Sequence, residues 1–231
     1  MSEEHPSSEL LGQLLDHIAH DLRGRSGVML GALSEIELGG DAERIRKLVA
    51  IARRSAQKVL LMADGLRCAG ELHSGRARWD FEPRDLKELV QRAVERASAV
   101  EARRGIALDL RLPDAKCVVS LDAEWISVAV TDLVVRAILV ARTSVVIDLE
   151  EGPANVVLTV SDDGRPLPLP LPERFSTSPR EHALGLTLTL SLASDVARAH
   201  GARFTTGEQR PGHPAGGSVC FEFPRSKSAN S

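Results

Sequence analysis

The amino-acid sequence predicts an α+β protein in two parts, an antiparallel helical hairpin followed by an α/β sandwich. In the first part, apolar residues recur at steps of three and four, which is typical of helices that pack along one stripe. In the second part, short alternating runs interleave with longer helical ones, which is typical of a mixed sheet covered by helices. A polar stretch at 70–77 interrupts the first pattern, so we divide the chain into domains at 1–72 and 73–231.

Two long helices are expected in the first domain. Gly39 and Gly40 end the first helix, and Asp41 is placed to cap the second. The two apolar stripes consist of Leu11, Leu14, Ile18, Leu22, Met29, Leu33 and Ile36, and of Ile45, Val49, Ala52, Ala56, Val59, Ala63 and Leu66. A hairpin has little to bury its apolar face against, so we expect two copies to pair as a four-helix bundle in a homodimer.

The second domain is predicted to mix helices and strands. Helices are expected over 86–102, 124–141 and 186–200, and strands over 106–112, 117–121, 144–150, 156–161, 202–207 and 218–223. Leu and Pro alternate at 167–172, which predicts an extended loop because proline cannot continue a helix.

Composition excludes several classes of function. The chain has 29 Lys and Arg against 32 Asp and Glu, and this charge of −3 argues against a mainly electrostatic nucleic-acid binder. Aromatic residues make up 3% and include no Tyr, too few for a base-stacking platform. No apolar run could span a bilayer and the start is polar, so we expect a cytoplasmic protein with no membrane partner. The three cysteines lack metal-ligand spacing, so we expect them to be buried and expect no metal site.

Seven short motifs along the chain occur in an order that is typical of a known protein family. They are His20-Asp21-Leu22-Arg23, the segment 132–137 within a longer stretch at 122–141, Val160 to Gly164, Glu173-Arg174-Phe175, Leu184-Gly185-Leu186, His200-Gly201 and Gly216-Gly217-Ser218. In this order they resemble the H-box, N-box, G1 box, F-box, G2 box and late landmarks of the histidine kinase core. The resemblance covers nearly the whole chain and implies a dimerising helical hairpin followed by an ATP-binding sandwich of the GHKL type.

His20 is the residue on which this resemblance places the chemistry. In the family the corresponding histidine accepts a phosphoryl group, and the acidic residue after it, here Asp21, orients the imidazole and assists proton transfer. The residues alone agree, because Ile18 and Leu22 lie on the apolar stripe and a residue two positions away is turned by roughly 200°. His20 is therefore expected to face solvent, where a neutral imidazole is nucleophilic near neutral pH. The alternative is an ordinary surface histidine, as we interpret His17.

The nucleotide motifs depart from the family pattern where ATP chemistry would need them. Arg136 replaces the Asn that helps to hold Mg²⁺, and a guanidinium has donors only, so Arg136 could contact a phosphate or pair with nearby acids. Pro166 replaces a G1 glycine, and Glu181 stands in the G2 box, where its charge would repel a triphosphate. The lid is stiffened by further prolines at 168, 170, 172 and 179. The residues that remain, and that would mark a vestigial nucleotide site, are Asp162 as the adenine contact, Gly164 and Gly185.

Three functions remain open at this point. We favour a histidine phosphotransferase that relays a phosphoryl group between receiver-domain aspartates through His20 without using ATP, similar to the kinase-like phosphotransferases of bacterial phosphorelays. One alternative is a non-catalytic pseudokinase or adaptor that binds response regulators or kinases. The other is an active histidine kinase with an atypical nucleotide site.

The favoured function implies particular partners and no resident cofactor. Receiver domains of response regulators would dock near His20, and an upstream histidine kinase is a further candidate partner. The docking candidates are Arg23, Gly24 and Gly27, because small residues there allow close approach. Mg²⁺ would be supplied by the receiver.

Overall fold

The structure is a computed structural model that describes residues 8–101, 105–167, 182–207 and 210–225. The helices are α1 (Ser8–Glu37), α2 (Ala42–His73), α3 (Leu86–Glu101), α4 (Ala123–Val140) and α5 (His182–Ala199). The strands are β1 (Glu82–Asp85), β2 (Ala107–Arg111), β3 (Val118–Leu121), β4 (Ser144–Glu151), β5 (Asn155–Asp162), β6 (Arg203–Thr206) and β7 (Ser218–Pro224). The predictions on the F-box at 173–175, on Glu181 and on the prolines at 168–179 lie outside the described residues.

The first two helices form the predicted antiparallel hairpin. Gly39 takes a φ of +82° in the turn, a conformation that favours glycine. The Asp41 carboxylate accepts a hydrogen bond from the Arg44 backbone N–H at 2.8 Å, which confirms the predicted cap.

Burial along the predicted stripes is uneven in the single chain. Ala52 of the second stripe is buried, as is Ala32, whereas Leu33 and Val49 remain 44% and 49% exposed and Ala63 is exposed as well. The expectation that a second copy covers the stripes stays a prediction. The seam uses small side chains, and the larger apolar ones lie to its side.

The sandwich is built on a five-stranded sheet in the order β2-β4-β5-β7-β6. The β2–β4 pair is parallel, and the other three pairs are antiparallel. The buried residues of β4 that join the core alternate along the strand as Val145, Ile147 and Leu149, which is the period-two pattern of a sheet with one covered face. The helices α3, α4 and α5 contribute the other side of this core. The α+β fold and its mixed sandwich are as expected from the sequence.

Two features of the sandwich were not predicted. The strand β1 pairs antiparallel with β3 in a separate two-stranded ribbon. Its four residues are mostly exposed and include Pro83, so the sequence carries no alternation to reveal it. The helix α5 begins at His182, four residues before the predicted start at 186.

The hairpin is packed against the sandwich through α2. Cys68 of α2 is fully buried and belongs to the same core cluster as the residues of α3 and α4. The Arg67 guanidinium pairs with the Glu124 carboxylate of α4, and Arg96 of α3 lies 3.7 Å from the Asp64 carboxylate. The two parts therefore share buried contacts as well as a covalent linker.

The three cysteines are buried, as expected, and none of them forms a disulfide bond among the described residues. Burial raises the pKa of the Cys68 thiol to about 11. Within the part of the chain that the structure describes, none of the helices is both long and apolar enough to cross a membrane. In the same ranges, no three His, Cys, Asp or Glu side chains are grouped so that they could hold a metal ion.

Candidate functional site

His20 lies on the exposed side of α1, as the spacing predicts. Its side chain is 83% exposed, and that of Asp21 is 40% exposed. The His20 Nδ1 atom lies 3.7 Å from the Asp21 Oδ1 atom, which is within reach of an ion pair and slightly beyond a hydrogen bond. A small rotation of either side chain would bring the carboxylate onto Nδ1 and leave Nε2 facing solvent.

The docking candidates lie on the same helix, and the two glycines among them have open space around them. Arg23, Gly24 and Gly27 are exposed residues of α1. A Cβ atom added at Gly24, Gly27 or Gly31 would meet no other atom within 4 Å. Packing within the chain therefore does not require glycine at these positions.

The candidate nucleotide residues cluster where β5 ends. Asp162 is the last residue of β5 and is completely buried. Its Oδ1 atom accepts hydrogen bonds from the backbone N–H groups of Gly164 at 2.9 Å and Gly217 at 3.3 Å. Its Oδ2 atom faces the Arg136 guanidinium of α4, with Nη1 at 3.4 Å.

The Arg136–Asp162 pair is almost wholly removed from water. The two side chains are 12% and 1% exposed. Burial raises the pKa of the Asp162 carboxyl, and Arg136 and the two backbone N–H groups oppose this effect. Burial also lowers the pKa of Arg136. Of the two roles considered for Arg136, the geometry matches pairing with an acid.

Asp132, which stands at the first N-box position, joins α4 to α5. Its Oδ2 atom accepts a hydrogen bond from the Thr189 hydroxyl at 2.6 Å. Burial raises the pKa of the Asp132 carboxyl, and the Thr189 hydroxyl partly offsets this. The hydrogen bond between Asp132 and Thr189 thus links the two helices.

Glycines allow the backbone to approach the Asp162 carboxylate closely. At Gly164 a side chain would collide with the Val140 carbonyl oxygen at the end of α4. At Gly217 a Cβ atom would lie 2.6 Å from the Asp162 Oδ2 atom and 3.2 Å from Arg136 Nη2. Gly185 lies in the first turn of α5, apart from the contacts described for Asp162.

The chain was compared with known protein families, curated proteins and solved structures. No family model matches the sequence, and no curated protein matches it. Among solved structures, the histidine kinase AdeS from Acinetobacter baumannii is 17% identical with a TM-score of 0.54, covering 90% of this chain and 98% of that one. The catalytic domain of the histidine kinase ThkA is 21% identical with a TM-score of 0.52, covering 63% of this chain and 96% of that one. Full-length ShkA in complex with AMPPNP is 18% identical with a TM-score of 0.56, covering 93% of this chain, which spans 46% of ShkA.

The chain has the fold of a histidine kinase core. The match to AdeS includes both the helical hairpin and the sandwich, because it covers 90% of the chain. The shorter match to ThkA is to a catalytic domain, the GHKL-type part of that core.

An adenine nucleotide, which this kinase fold implies, does not fit the described residues of the sandwich. The base would have to reach the Asp162 carboxylate, but that side chain is 1% exposed and the Arg136 guanidinium lies 3.4 Å from its Oδ2 atom. Arg136 offers only donors, so it can neither ligate Mg²⁺ nor accept from a base amine. The cradle beside Gly217 is filled by the Arg136 guanidinium.

One cluster of hydrogen-bonded side chains in the kinase-like sandwich was not predicted from the sequence. The Ser161 hydroxyl lies 2.8 Å from His213 Nδ1, and His213 Nε2 lies 3.1 Å from the Asp148 carboxylate. Ser161 is fully buried and the His213 side chain is 4% exposed, so a substrate has no access to this chain of groups. It fastens the connection between β6 and β7 onto the sheet. No local sequence signal announces it, because its three members come from 148, 161 and 213.

A second set of missed groups positions the turn between α4 and β4. The Asp163 carboxylate accepts hydrogen bonds from the backbone N–H groups of Arg142 and Thr143 and from the Thr143 hydroxyl. These hydrogen bonds lower the pKa of Asp163 far below its ordinary value. The Asp-Asp-Gly sequence at 162–164 was a usable signal, although Asp162 and Gly164 were singled out from it and Asp163 was not.

Proposed function

We propose that this chain is a histidine phosphotransferase that relays a phosphoryl group between receiver-domain aspartates through His20 without ATP. The observation that carries the proposal is the exposed His20 imidazole beside the Asp21 carboxylate on a kinase-type hairpin. The buried Arg136–Asp162 pair adds support, because a relay has no need of the nucleotide site that this pair fills. The likeness in fold to the histidine kinase AdeS supports a role in two-component signalling.

The chemistry asks little of the chain beyond an exposed and oriented nucleophile. The lone pair on His20 Nε2 attacks the phosphorus of an aspartyl phosphate on the receiver. The N–P bond forms, the P–O bond to the aspartate breaks, and the receiver's carboxylate leaves with the electron pair. Asp21 holds the Nδ1 proton and stabilises the positive charge that develops on the imidazole. The reverse step passes the phosphoryl group to a second receiver, which brings its own Mg²⁺.

The proposed function also includes a homodimer. Large apolar side chains remain exposed on both helices of the hairpin, including Leu30 at 60% and Leu60 at 65%. Pairing with a second copy as a four-helix bundle would cover such side chains. The receiver would then dock on the bundle beside His20, over Arg23, Gly24 and Gly27, which lie on the same helix.

The direct test is transfer of labelled phosphate. The protein is incubated without nucleotide with receiver domains phosphorylated by a small-molecule phosphodonor or by their own kinases. Wild type is expected to become labelled, and His20→Ala should reduce the label by more than about 100-fold, since loss of the nucleophile removes the covalent step. His17→Ala, on the same helix, is the matched control and should retain the label.

Other outcomes of this experiment contradict the proposal. If His20→Ala still takes up label, His20 is not the acceptor. If wild type binds phosphorylated receivers and takes up no label from any of them, the adaptor alternative replaces the relay. The exposed apolar side chains of the hairpin would then serve binding alone.

A further inference from the structure

Arg136 and Asp162 form a buried ion pair at the place where a kinase-type sandwich would recognise a base. Each carboxylate oxygen of Asp162 already faces an N–H donor of the chain. Two backbone N–H groups, from Gly164 and Gly217, point at Oδ1, and Arg136 Nη1 points at Oδ2. The carboxylate is 1% exposed, so an external donor has no open path to it while the guanidinium is in place.

The space beside the carboxylate is occupied as well. A Cβ atom at Gly217 would lie 3.2 Å from Nη2 and 3.3 Å from Nη1 of Arg136. The guanidinium therefore lies directly against the Gly217 backbone. A flat ring that approached the Asp162 Oδ2 atom from this side would meet the same atoms.

The two residues depend on each other for charge balance. A buried charge that loses its partner is strongly destabilising, whereas loss of both charges together costs much less. The Arg136 Nε atom has no hydrogen-bond partner among the described residues, so Asp162 is the principal anchor of this side chain.

We propose that Arg136 is an internal plug: its guanidinium takes the position of a nucleobase on Asp162, and this single side chain prevents the sandwich from recognising adenine. The inference rests on the proposed function, in which no nucleotide is used, and adds the residue responsible. If Arg136 alone closes the base site, adenine recognition can be restored without changing the phosphate-binding motifs.

The test uses adenosine, which carries no phosphate and so reports on the base site alone. Calorimetry measures the binding of adenosine to wild type and to three variants. The variants are Arg136→Ser, Arg136→Lys and Arg136→Ser/Asp162→Asn. Arg136→Ser is expected to bind at least about tenfold more tightly than wild type, the value of one hydrogen bond to a charged acceptor. Arg136→Lys keeps a cation beside Asp162 and should bind as weakly as wild type. The double variant lacks the carboxylate and should also bind as weakly as wild type.

Two results would overturn the plug. One is that Arg136→Ser binds adenosine no more tightly than wild type, and the other is a gain in affinity that persists after Asp162→Asn. Should Arg136→Ser fail to fold because it leaves a buried carboxylate unpaired, Arg136→Asn takes its place with the same criteria, since it removes the charge and its short side chain leaves the space beside Asp162 open.

The two proposals fail separately. Phosphate uptake by wild type is measured without nucleotide and depends on His20, so its absence refutes the relay while the adenosine titrations stay interpretable. An unplugged site that still rejects adenosine refutes the plug and leaves the relay standing.

Discussion

At the scale of single residues, His200 shows how a buried titratable group becomes tied to one protonation state. Its Nδ1 atom lies 2.7 Å from the Val196 carbonyl oxygen, and its Nε2 atom accepts a hydrogen bond from the Asp122 backbone N–H at 2.9 Å. These partners assign the proton to Nδ1 and the lone pair to Nε2. The rings of Trp79 and Phe81 pack against the imidazole, and burial lowers its pKa.

We therefore expect the free energy of unfolding to decrease as the pH falls below the ordinary histidine value of 6.5. Below that pH the unfolded chain takes up a proton that folded His200 does not, so acid favours unfolding until the lowered folded pKa is also passed. His200→Gln should cost about 1–3 kcal/mol at pH 8 through its buried partners and remove this part of the pH dependence. Urea unfolding between pH 8 and pH 5 measures both effects.

An unchanged slope in His200→Gln would show that His200 titrates in the folded state as it does in the unfolded one.

Arg136 marks the limit of residue-level prediction. Through its resemblance to the kinase core, the sequence implies that Arg136 stands in place of a Mg²⁺ ligand, and chemistry adds that a donor-only side chain cannot take that role. The sequence left open whether Arg136 contacts a phosphate or an acid, because the answer depends on packing. The residue at 136 meets the residue at 162 only when α4 lies across the end of β5, and no local pattern specifies that approach.

At the scale of elements, α1 carries glycines in its interior that its own packing does not explain. Gly24 and Gly27 follow His20 within two turns, and Gly31 lies one turn further on. Glycine in a helix interior costs about 0.5–1 kcal/mol relative to alanine. If the glycines near His20 allow a receiver to approach, they lower helix stability in exchange for docking.

Gly24→Ala and Gly31→Ala separate these two effects. Each should raise the stability of the protein by up to about 1 kcal/mol, since a Cβ atom at either position meets nothing within 4 Å. Gly24→Ala should also slow phosphate uptake from a receiver by about tenfold or more, the result of a misplaced approach to His20. Gly31→Ala is the matched control and should leave uptake unchanged.

Thermal unfolding and initial rates of labelling measure the two outcomes. Equal rates for both variants would remove Gly24 from the docking surface. A loss of stability in either variant would mean that the site is crowded in the assembled protein.

The elements themselves were predictable to different degrees. The hairpin, the sheet strands β4 and β5 and the helix α4 follow from periodic apolar residues, which are local signals. The strand β1 was missed because its residues are exposed and paired through the backbone with β3, which comes 33 to 39 positions later. The exposure of Leu33 and Val49 in the single chain could not be predicted from the sequence, because a heptad pattern does not say whether a position faces its own hairpin or a second one.

At the scale of the whole molecule, the exposed leucines of the hairpin predict self-association. We expect wild type to be a dimer and Leu30→Glu/Leu60→Glu to be a monomer, because the bundle would have to bury unpaired carboxylates. The dissociation constant should rise by a factor on the order of 100 or more. Sedimentation equilibrium measures this change.

Leu38→Glu is the matched control for charge and exposure. Leu38 is 80% exposed but lies in the turn between α1 and α2, at the end of the bundle. It should leave the dimer intact. A wild-type monomer, or a dimer that survives both glutamates, would mean that these side chains lie outside the interface.

The Arg136–Asp162 pair has a consequence for the protein in its setting. An ordinary nucleotide-binding domain gains stability in proportion to the logarithm of ligand concentration, so its folded fraction follows the nucleotide pool. A domain whose own side chain fills the base site has no such linkage. If Arg136 closes the base site as proposed, the folded fraction of this chain does not depend on the nucleotide pool and stays constant when the energy charge of the cell changes.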